Sequence, residues 1–369
     1  MALLIFIAIL VALIWVHELG HFSVAKLFKI RVDEFAIGFP PRLFKVRYGE
    51  TDYTFNLLLL GGFVRIHGEN PNDIQPGEQD PRALTSKNRG IQAMVMLAGI
   101  AFNLIFAWLA LSAGYMSGLP TSASSKALGP ITAPQVVISA VLPGSPGDKA
   151  GFKPGDIIEK LETGTTALDT ATLNTNEQAD AVQAFISTHQ DESFVITVER
   201  AGQVRTLLAK PAEGIAPDRK VIGIEFGDIG ILKLPVHLAL AQGAVAFKDL
   251  TIGTAQGLGS FLGSLVVGGA DFSQVAGPIG IAGVGQSAVK EGFGAAAIIA
   301  ALISINLALI NLLPIPGLDG GRLLIIIIES IIRRPVSPKV TNALMLVGLA
   351  AIVLLMIVVS INDIARLVG

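Results

Sequence analysis

The chain has no cysteine among its 369 residues. Disulfides and thiolate metal sites are both excluded, so any bound metal must be held by histidine or carboxylate. Charge is also scarce: Asp, Glu, Lys and Arg make up 15% of the residues, against about a quarter in ordinary soluble domains. The formal net charge is −2, and this lack of a basic surplus argues against a nucleic-acid partner. Histidine is scarcer still, with five residues, two of which stand four positions apart near the start. What the chain has in quantity is apolar residues, 51% of the total with a mean hydropathy of +0.63. Such a composition belongs to a polytopic membrane protein with room for one water-facing domain.

Four segments are long and apolar enough to cross a bilayer, which takes about 20 residues. They run from Ala2 to Phe28, Ile91 to Met116, Ala295 to Leu313 and Ala343 to Leu367. The run Leu323 to Ile332 is too short to span and carries Glu329, so it reads as a buried or interfacial helical turn. Basic residues orient the bundle. Lys29, Arg31, Arg42, Lys45, Arg47, Arg65, Lys87 and Arg89 lie between the first and second spans, and Arg322, Arg333, Arg334 and Lys339 between the third and fourth. By the positive-inside rule both connections are cytoplasmic and the long middle segment lies outside.

That middle segment alternates strand-like runs with turns. Val136–Leu142 and Phe194–Glu199 read as strands, Glu177–His189 as a helix, and Pro143–Pro146 and Lys153–Asp156 as turns. Thr121–Pro134 reads as linker. The expected division is 1–118 as an N-terminal membrane part, 119–130 as linker, 131–228 as an inserted α+β domain, 229–294 as an amphipathic segment on the outer surface, and 295–369 as a C-terminal membrane part. Gly277–Gly280 reads as a turn before the third span, Asp363 as a residue near an interface, and His67, His189 and His237 as surface histidines.

Inside the first span stands His17-Glu18-Leu19-Gly20-His21. On a helix, His17 and His21 share one face a turn apart and can reach one tetrahedral ion, while Glu18 beside them is placed to act as a base. A carboxylate within a membrane segment is costly and generally functional. Counted from Leu3, His17 lies about 21 Å along the helix, below the midplane toward the cytoplasm. A signal peptide is the other reading, since Ser23-Val24-Ala25 fits a cleavage pattern. The apolar run, however, exceeds an ordinary signal core and no basic stretch precedes it. Two histidines leave zinc one protein ligand short of the usual catalytic three. The third span ends Asn311-Leu312-Leu313-Pro314-Ile315-Pro316-Gly317-Leu318-Asp319-Gly320-Gly321, and Asp319, after a proline-broken helix end at the same membrane level, is the natural oxygen ligand.

With these motifs the chain resembles the site-2 protease family of intramembrane zinc metalloproteases, in the bacterial branch that carries a periplasmic PDZ domain. Gly38-Phe39-Pro40-Pro41, the β-like stretch around Gly61-Gly62-Phe63-Val64, and Ala150–Ile158, similar to a PDZ core, extend the resemblance over almost the whole chain. Some relatives carry two tandem PDZ domains; this chain has room for one.

The resemblance implies one Zn2+ held by His17, His21 and Asp319, Glu18 as general base, and Asn311 as a group that positions substrate backbone or stabilises the oxyanion. It implies a four-helix bacterial inner-membrane protein with its active site toward the cytoplasm. Single-span membrane proteins would be the substrates, anti-sigma factors or remnant signal peptides among them.

Tyr53–Ile66 reads as a strand pair bent at Gly61-Gly62. From the residues alone it is either a plain cytoplasmic hairpin or an element at membrane depth; the resemblance implies the second, where Gly61, Gly62 and Phe63 could hold substrate as an added strand. The outer domain could bind a substrate C-terminus, with Val221-Ile222-Gly223-Ile224 as the carboxylate-binding strand, or could exclude bulky ectodomains. A PDZ-bearing membrane scaffold or chaperone with a structural metal is the alternative from another class; Glu18, not needed to hold zinc, argues against it. A metal transporter fits the large outer domain poorly.

Overall fold

The computed structural model describes residues 1–69, 80–164, 166–173, 178–200, 202–216, 219–269 and 277–368. Four helices in it have the length and hydropathy to cross a membrane: α1 (Ala2–Leu27), α2 (Arg89–Ser117), α7 (Phe293–Leu312) and α9 (Pro338–Val368). Each lies within a few residues of the segment expected from hydropathy. Much of their leucine, isoleucine and valine stays exposed, including Leu4, Ile105, Leu346, Val347 and Leu354. That pattern suits a hydrocarbon solvent, in which helices satisfy their own backbone and need not hide apolar side chains.

The chain forms two compact units, residues 1–114 with 243–369, and residues 115–242. In the first, α1 is followed by two long antiparallel strands, β1 (Val32–Tyr48) and β2 (Thr51–Ile66), joined by a tight turn at Gly49-Glu50. The strand pair expected within Tyr53–Ile66 is instead a single strand. Its partner is β1, and both strands curl back so that each half of one meets a half of the other. Phe35 pairs with Val64 on one side and Tyr53 on the other, and Ile37 with both Gly62 and Phe55. Four ribbons result, in the order 62–66, 32–37, 51–58, 42–48, with Gly62–Ile66 as an outer edge. Glu34 is buried at this crossing, accepting from Thr54 Oγ1 at 2.8 Å and Arg42 Nη2 at 3.1 Å.

Helix α7 stops where Leu313 turns extended ahead of Pro314, which lacks the N–H and φ freedom to continue it. The loop Pro314–Leu318 leads into α8 (Asp319–Ile332). Gly320 and Gly321 lie so close to the carbonyls of Leu312, Leu313 and Ile315 that a Cβ at either would clash with backbone. The two glycines let the first turn of α8, which begins with Asp319, fold back onto the end of α7. Farther along, Arg322 pairs with Glu69, and Glu329 with Arg89 at 2.6 Å. Leu323–Ile332 is thus the body of a helix held by two ion pairs.

Between the second unit and α7 come α5 (Val236–Val267) and α6 (Pro278–Glu291). Ala246, Phe247 and Leu250 of α5 pack on Ala107 and Leu111 of α2 and Ala301 and Ile305 of α7. Gly277–Gly280, expected to be a plain turn, is the start of α6. Asp363, expected near an interface, is buried, and its carboxylate accepts the N–H groups of Gly277 and Gly280 at 3.0 and 2.9 Å. The orphan donors of a helix start account for this pairing and for the helix where a turn was expected.

The second unit is built on a sheet ordered β3 (Leu119–Ser122), β11 (Ile224–Leu232), β4 (Ile131–Val141), β5 (Ile157–Glu162), β7 (Phe194–Arg200) and β8 (Gln203–Ala209), with β6 (Ala167–Asp169) beside β5 and a short helix, α3 (Pro146–Ala150), following β4 in the chain. The expected linker Thr121–Pro134 contains parts of β3 and β4, because its Thr and Ser residues pair with β11. Alternation along β7 sends Phe194, Ile196 and Val198 inward. They meet Val136, Ile138, Ile158, Leu161 and Val182 of α4 (Gln178–Thr188). Each such buried side chain contributes about 1.5–3 kcal/mol. The expected helix start at Glu177 lies outside the described residues. Asp156 is fully buried between Arg200 Nε and Nη2, at 2.6 and 2.7 Å, and the N–H of Lys153 at 2.9 Å. Burial pushes its carboxyl up, but the Arg200 and Lys153 hydrogen bonds outweigh it and hold the group below the usual carboxylate range.

Candidate metal centre

His17 and His21 lie on one face of α1, as their spacing requires, and both are buried. Their Nε2 atoms are 3.2 Å apart. Asp319 Oδ2 completes a triangle, 3.1 Å from His17 Nε2 and 3.3 Å from His21 Nε2. Ligands bound at about 2.0–2.1 Å to one tetrahedral ion stand roughly 3.3 Å from one another, so the three atoms have the spacing of a shared metal. Their chemistry agrees. His21 Nδ1 lies 2.8 Å from the carbonyl oxygen of Val95 and must carry hydrogen to bond it, leaving a lone pair on Nε2. Asp319 Oδ2 is buried with no hydrogen-bond donor. Three facing lone pairs repel unless a cation lies between them. Among the described residues this is the one group of three or more such side chains spaced to hold an ion.

Two glycines admit this geometry. Gly20 of α1 lies against the carbonyl of Ala98 of α2, and Gly99 of α2 lies against both imidazoles; a Cβ at either would clash. Val95, Gly99 and Asn103 recur every four residues and form the face of α2 turned toward the histidines. Asn103 is fully buried, with Nδ2 3.1 Å from His17 Nδ1, and its backbone carbonyl accepts from Ser304 Oγ of α7 at 2.8 Å. A lone polar residue in an apolar span, Asn103 reads from the sequence as one able to face the bundle and hydrogen-bond across it, and His17 of α1 is the neighbour it meets. Its spacing of four from Gly99 and eight from Val95 was the signal available, but nothing in the chain pointed those residues at α1.

Glu18, the neighbour of His17, is partly buried, and the backbone of Val64 hydrogen-bonds its carboxylate. The adjacent Gly62 of β2 lies beside the Glu18 side chain. The outer edge of β2 therefore runs past the Glu18 carboxylate. Gly61 and Phe63 belong to the same edge, with Phe63 stacked on Phe39 at 6.5 Å. Asn311 is half-buried on the last turn of α7, eight residues before Asp319. Val221-Ile222-Gly223-Ile224 lies in the other unit and is not one strand. It bridges the end of β10 (Arg219–Val221), which pairs with β9 (Ala212–Ala216), and the start of β11. Gly223, at φ +80°, breaks the run, and its carbonyl accepts from the N–H of Leu142 at 2.9 Å. His237 is exposed as expected. His67 is flanked by Asp33 at 3.4 Å and Asp80 at 3.3 Å, and His189 bonds the carbonyl of Phe185 at 2.9 Å, so neither is free on the surface.

An HExxH pair on one membrane-spanning helix, an aspartate delivered from another part of the membrane unit and the Glu18 carboxylate beside a β edge define a metallopeptidase set in a helical membrane frame. Comparison with known proteins gives the family. Residues 5–355 match peptidase family M50, and the chain belongs to it. It is 34% identical to a provisionally named zinc metalloprotease of Nostoc sp., over 100% of this chain and 97% of that protein. It is likewise 34% identical to a provisionally named zinc metalloprotease of Synechocystis sp., over 98% of this chain and 94% of the relative. The zinc metalloprotease RasP of Bacillus licheniformis is 28% identical, with 98% of each chain covered. The protein is therefore an intramembrane zinc metalloprotease of the site-2 type, acting on membrane-protein substrates in the bilayer.

Proposed function

We propose that His17, His21 and Asp319 hold the catalytic zinc and that Glu18 is the general base. The observation that carries this is the triangle of Nε2, Nε2 and Oδ2 at 3.1–3.3 Å with Glu18 on the same helix. Bound zinc supplies Lewis-acid activation of the attacking water and the scissile carbonyl. Glu18 takes the proton of that water and returns it to the leaving amine. Asn311 steadies the substrate backbone or the developing oxyanion. A helical scissile bond has its carbonyl occupied, so the substrate must unwind first. Gly61, Gly62 and Phe63 on the outer edge of β2 receive it as an added strand, which the nearness of Gly62 and Val64 to Glu18 supports.

The unit from 115 to 242 serves as a single extracytoplasmic PDZ domain, in line with the positive-inside pattern of the other connections. β3 covers only Ile229–Leu232 of β11. The stretch from Ile224 to Gly227, next to Val221-Ile222-Gly223 and α4, is left as an open edge for a C-terminal peptide. The substrates are single-span proteins of the bacterial inner membrane, with anti-sigma factors and remnant signal peptides as the first to test. The test is Glu18→Gln in the purified protein with a model transmembrane substrate. Zinc content should remain and cleavage should fall by at least 100-fold; a variant of full activity would end the general-base assignment.

A further inference from the structure

We propose that Asn103 is a positioning residue for the metal site: its side-chain carbonyl accepts the Nδ1–H of His17 and so aims the Nε2 lone pair at zinc. The proposal rests on His17, His21 and Asp319 being the zinc ligands and adds the group that orients one of them. A histidine that ligates through Nε2 carries its proton on Nδ1 and usually donates it to a carbonyl or carboxylate. His21 has such a partner in the carbonyl of Val95 at 2.8 Å. His17 has Asn103 in the equivalent place, two turns farther along the same face of α2, with Nδ2 3.1 Å from His17 Nδ1. Two hydrogen-bearing nitrogens cannot bond each other, and Asn103 Oδ1 is buried with no partner. A half-turn of the amide, which exchanges its oxygen and nitrogen, brings Oδ1 to Nδ1–H.

The backbone that carries this amide is anchored. Asn103 is wholly excluded from solvent, and Ser304 Oγ of α7, itself fully buried, donates to its backbone carbonyl at 2.8 Å. A buried asparagine in an apolar span is expensive unless it is used. Here it links His17 of α1 to Ser304 of α7, whose C-terminal end leads to Asp319.

The experiment measures zinc affinity of the full chain in detergent by chelator competition, and the d–d spectrum of the Co2+-substituted protein. Asn103→Leu removes the acceptor at similar volume, and Asn103→Asp keeps one. Leu should weaken zinc binding by about 10–100-fold, the usual loss for such outer partners, and alter the Co2+ bands, while Asp restores both. Asn103→Ala gives the same reading should the Leu variant fail to fold. Wild-type affinity and spectrum in Leu or Ala would overturn the proposal, as would Asp binding zinc as weakly as Leu, which would mean packing alone. His17→Ala separates the two levels: if it keeps wild-type zinc affinity, the ligand assignment fails and this proposal with it. If it loses zinc while Asn103→Leu does not, only the positioning role fails.

Discussion

Gly99→Ala should disable the metal site although Gly99 contributes no atom to it. A Cβ built on Gly99 lies 2.9 Å from His17 Nε2 and 2.7 Å from His17 Cε1, and closer still to His21 Nε2, where ordinary contact begins at 3.4 Å. His17 would have to retreat by about 0.5–0.7 Å, whereas metal–ligand distances hold to within about 0.2 Å. Overpacking of this kind costs about 1–3 kcal/mol, which at about 1.4 kcal/mol per tenfold is roughly a 5- to 150-fold loss of zinc affinity. Chelator competition on the purified full chain reads the affinity, and cleavage of a model transmembrane substrate should fall in parallel. Gly253→Ala in α5 is the matched control. Nothing lies within 4 Å of its Cβ position, and an alanine in a helix interior is favoured by about 1 kcal/mol at most. Wild-type zinc affinity in Gly99→Ala would refute the claim that this face of α2 shapes the site.

Three further outcomes follow from the structure. Removing zinc with a chelator should abolish cleavage and restoring zinc should recover it; activity that persists after complete removal, checked by metal analysis, would contradict the metallopeptidase assignment. Asp156→Asn should destabilise the 115–242 unit by about 2 kcal/mol, seen as faster hydrogen exchange in β5 and β7. Because the Asp156 carboxyl is held below its usual range, its contribution is complete above about pH 4, the unfolded value. It is lost as pH falls through the lower folded value, so the gap between wild type and variant should close only in that acid range. Asp363→Ala frees the N–H groups of Gly277 and Gly280 and should fray the start of α6 by about 1 kcal/mol, measurable as hydrogen exchange confined to residues 277–281.

The parts legible in the sequence were those with a local physical signature. Twenty apolar residues in a row announce a span. Histidines four apart announce a shared helix face, and Leu-Asp-Gly-Gly after a proline-broken helix pointed to Asp319 as the candidate that the structure brings beside them. What stayed hidden depended on pairing across distance. Tyr53–Ile66 looked like two strands hinged at Gly61-Gly62. A residue alternation says which faces a strand has but not which strand it meets, and the partner was β1. The pairing of Asp363 was equally hidden, since the amides it binds lie 83 and 86 residues earlier. The start of the sheet at β3 was hidden in residues that read as linker, since Thr and Ser suit a short edge strand as well as a loop.

Helix α2 shows why a ligand inventory understates this site. It supplies no metal ligand, yet three of its residues on one face decide whether the histidines can act. Val95 sets the tautomer of His21, Gly99 makes the space, and Asn103 reaches His17. The proposed ligands come from α1 and from the helix following α7, two segments about 300 residues apart in the chain, with no covalent reason to meet. Helix α2 touches α1 at Gly20 and the histidines, and touches α7, whose end leads into Asp319, at Ser304. In hydrocarbon there is no hydrophobic drive to hold helices together, so close backbone approach at small residues and buried hydrogen bonds must do it. Gly99 and Asn103 provide one of each within a single turn, so the contact that packs α2 against α1 also aims the metal-binding nitrogens. Substitutions on this face of α2 should therefore weaken zinc binding before they unfold the bundle, whereas lipid-facing residues of the same helix, such as Ile105 and Leu109, should tolerate exchange.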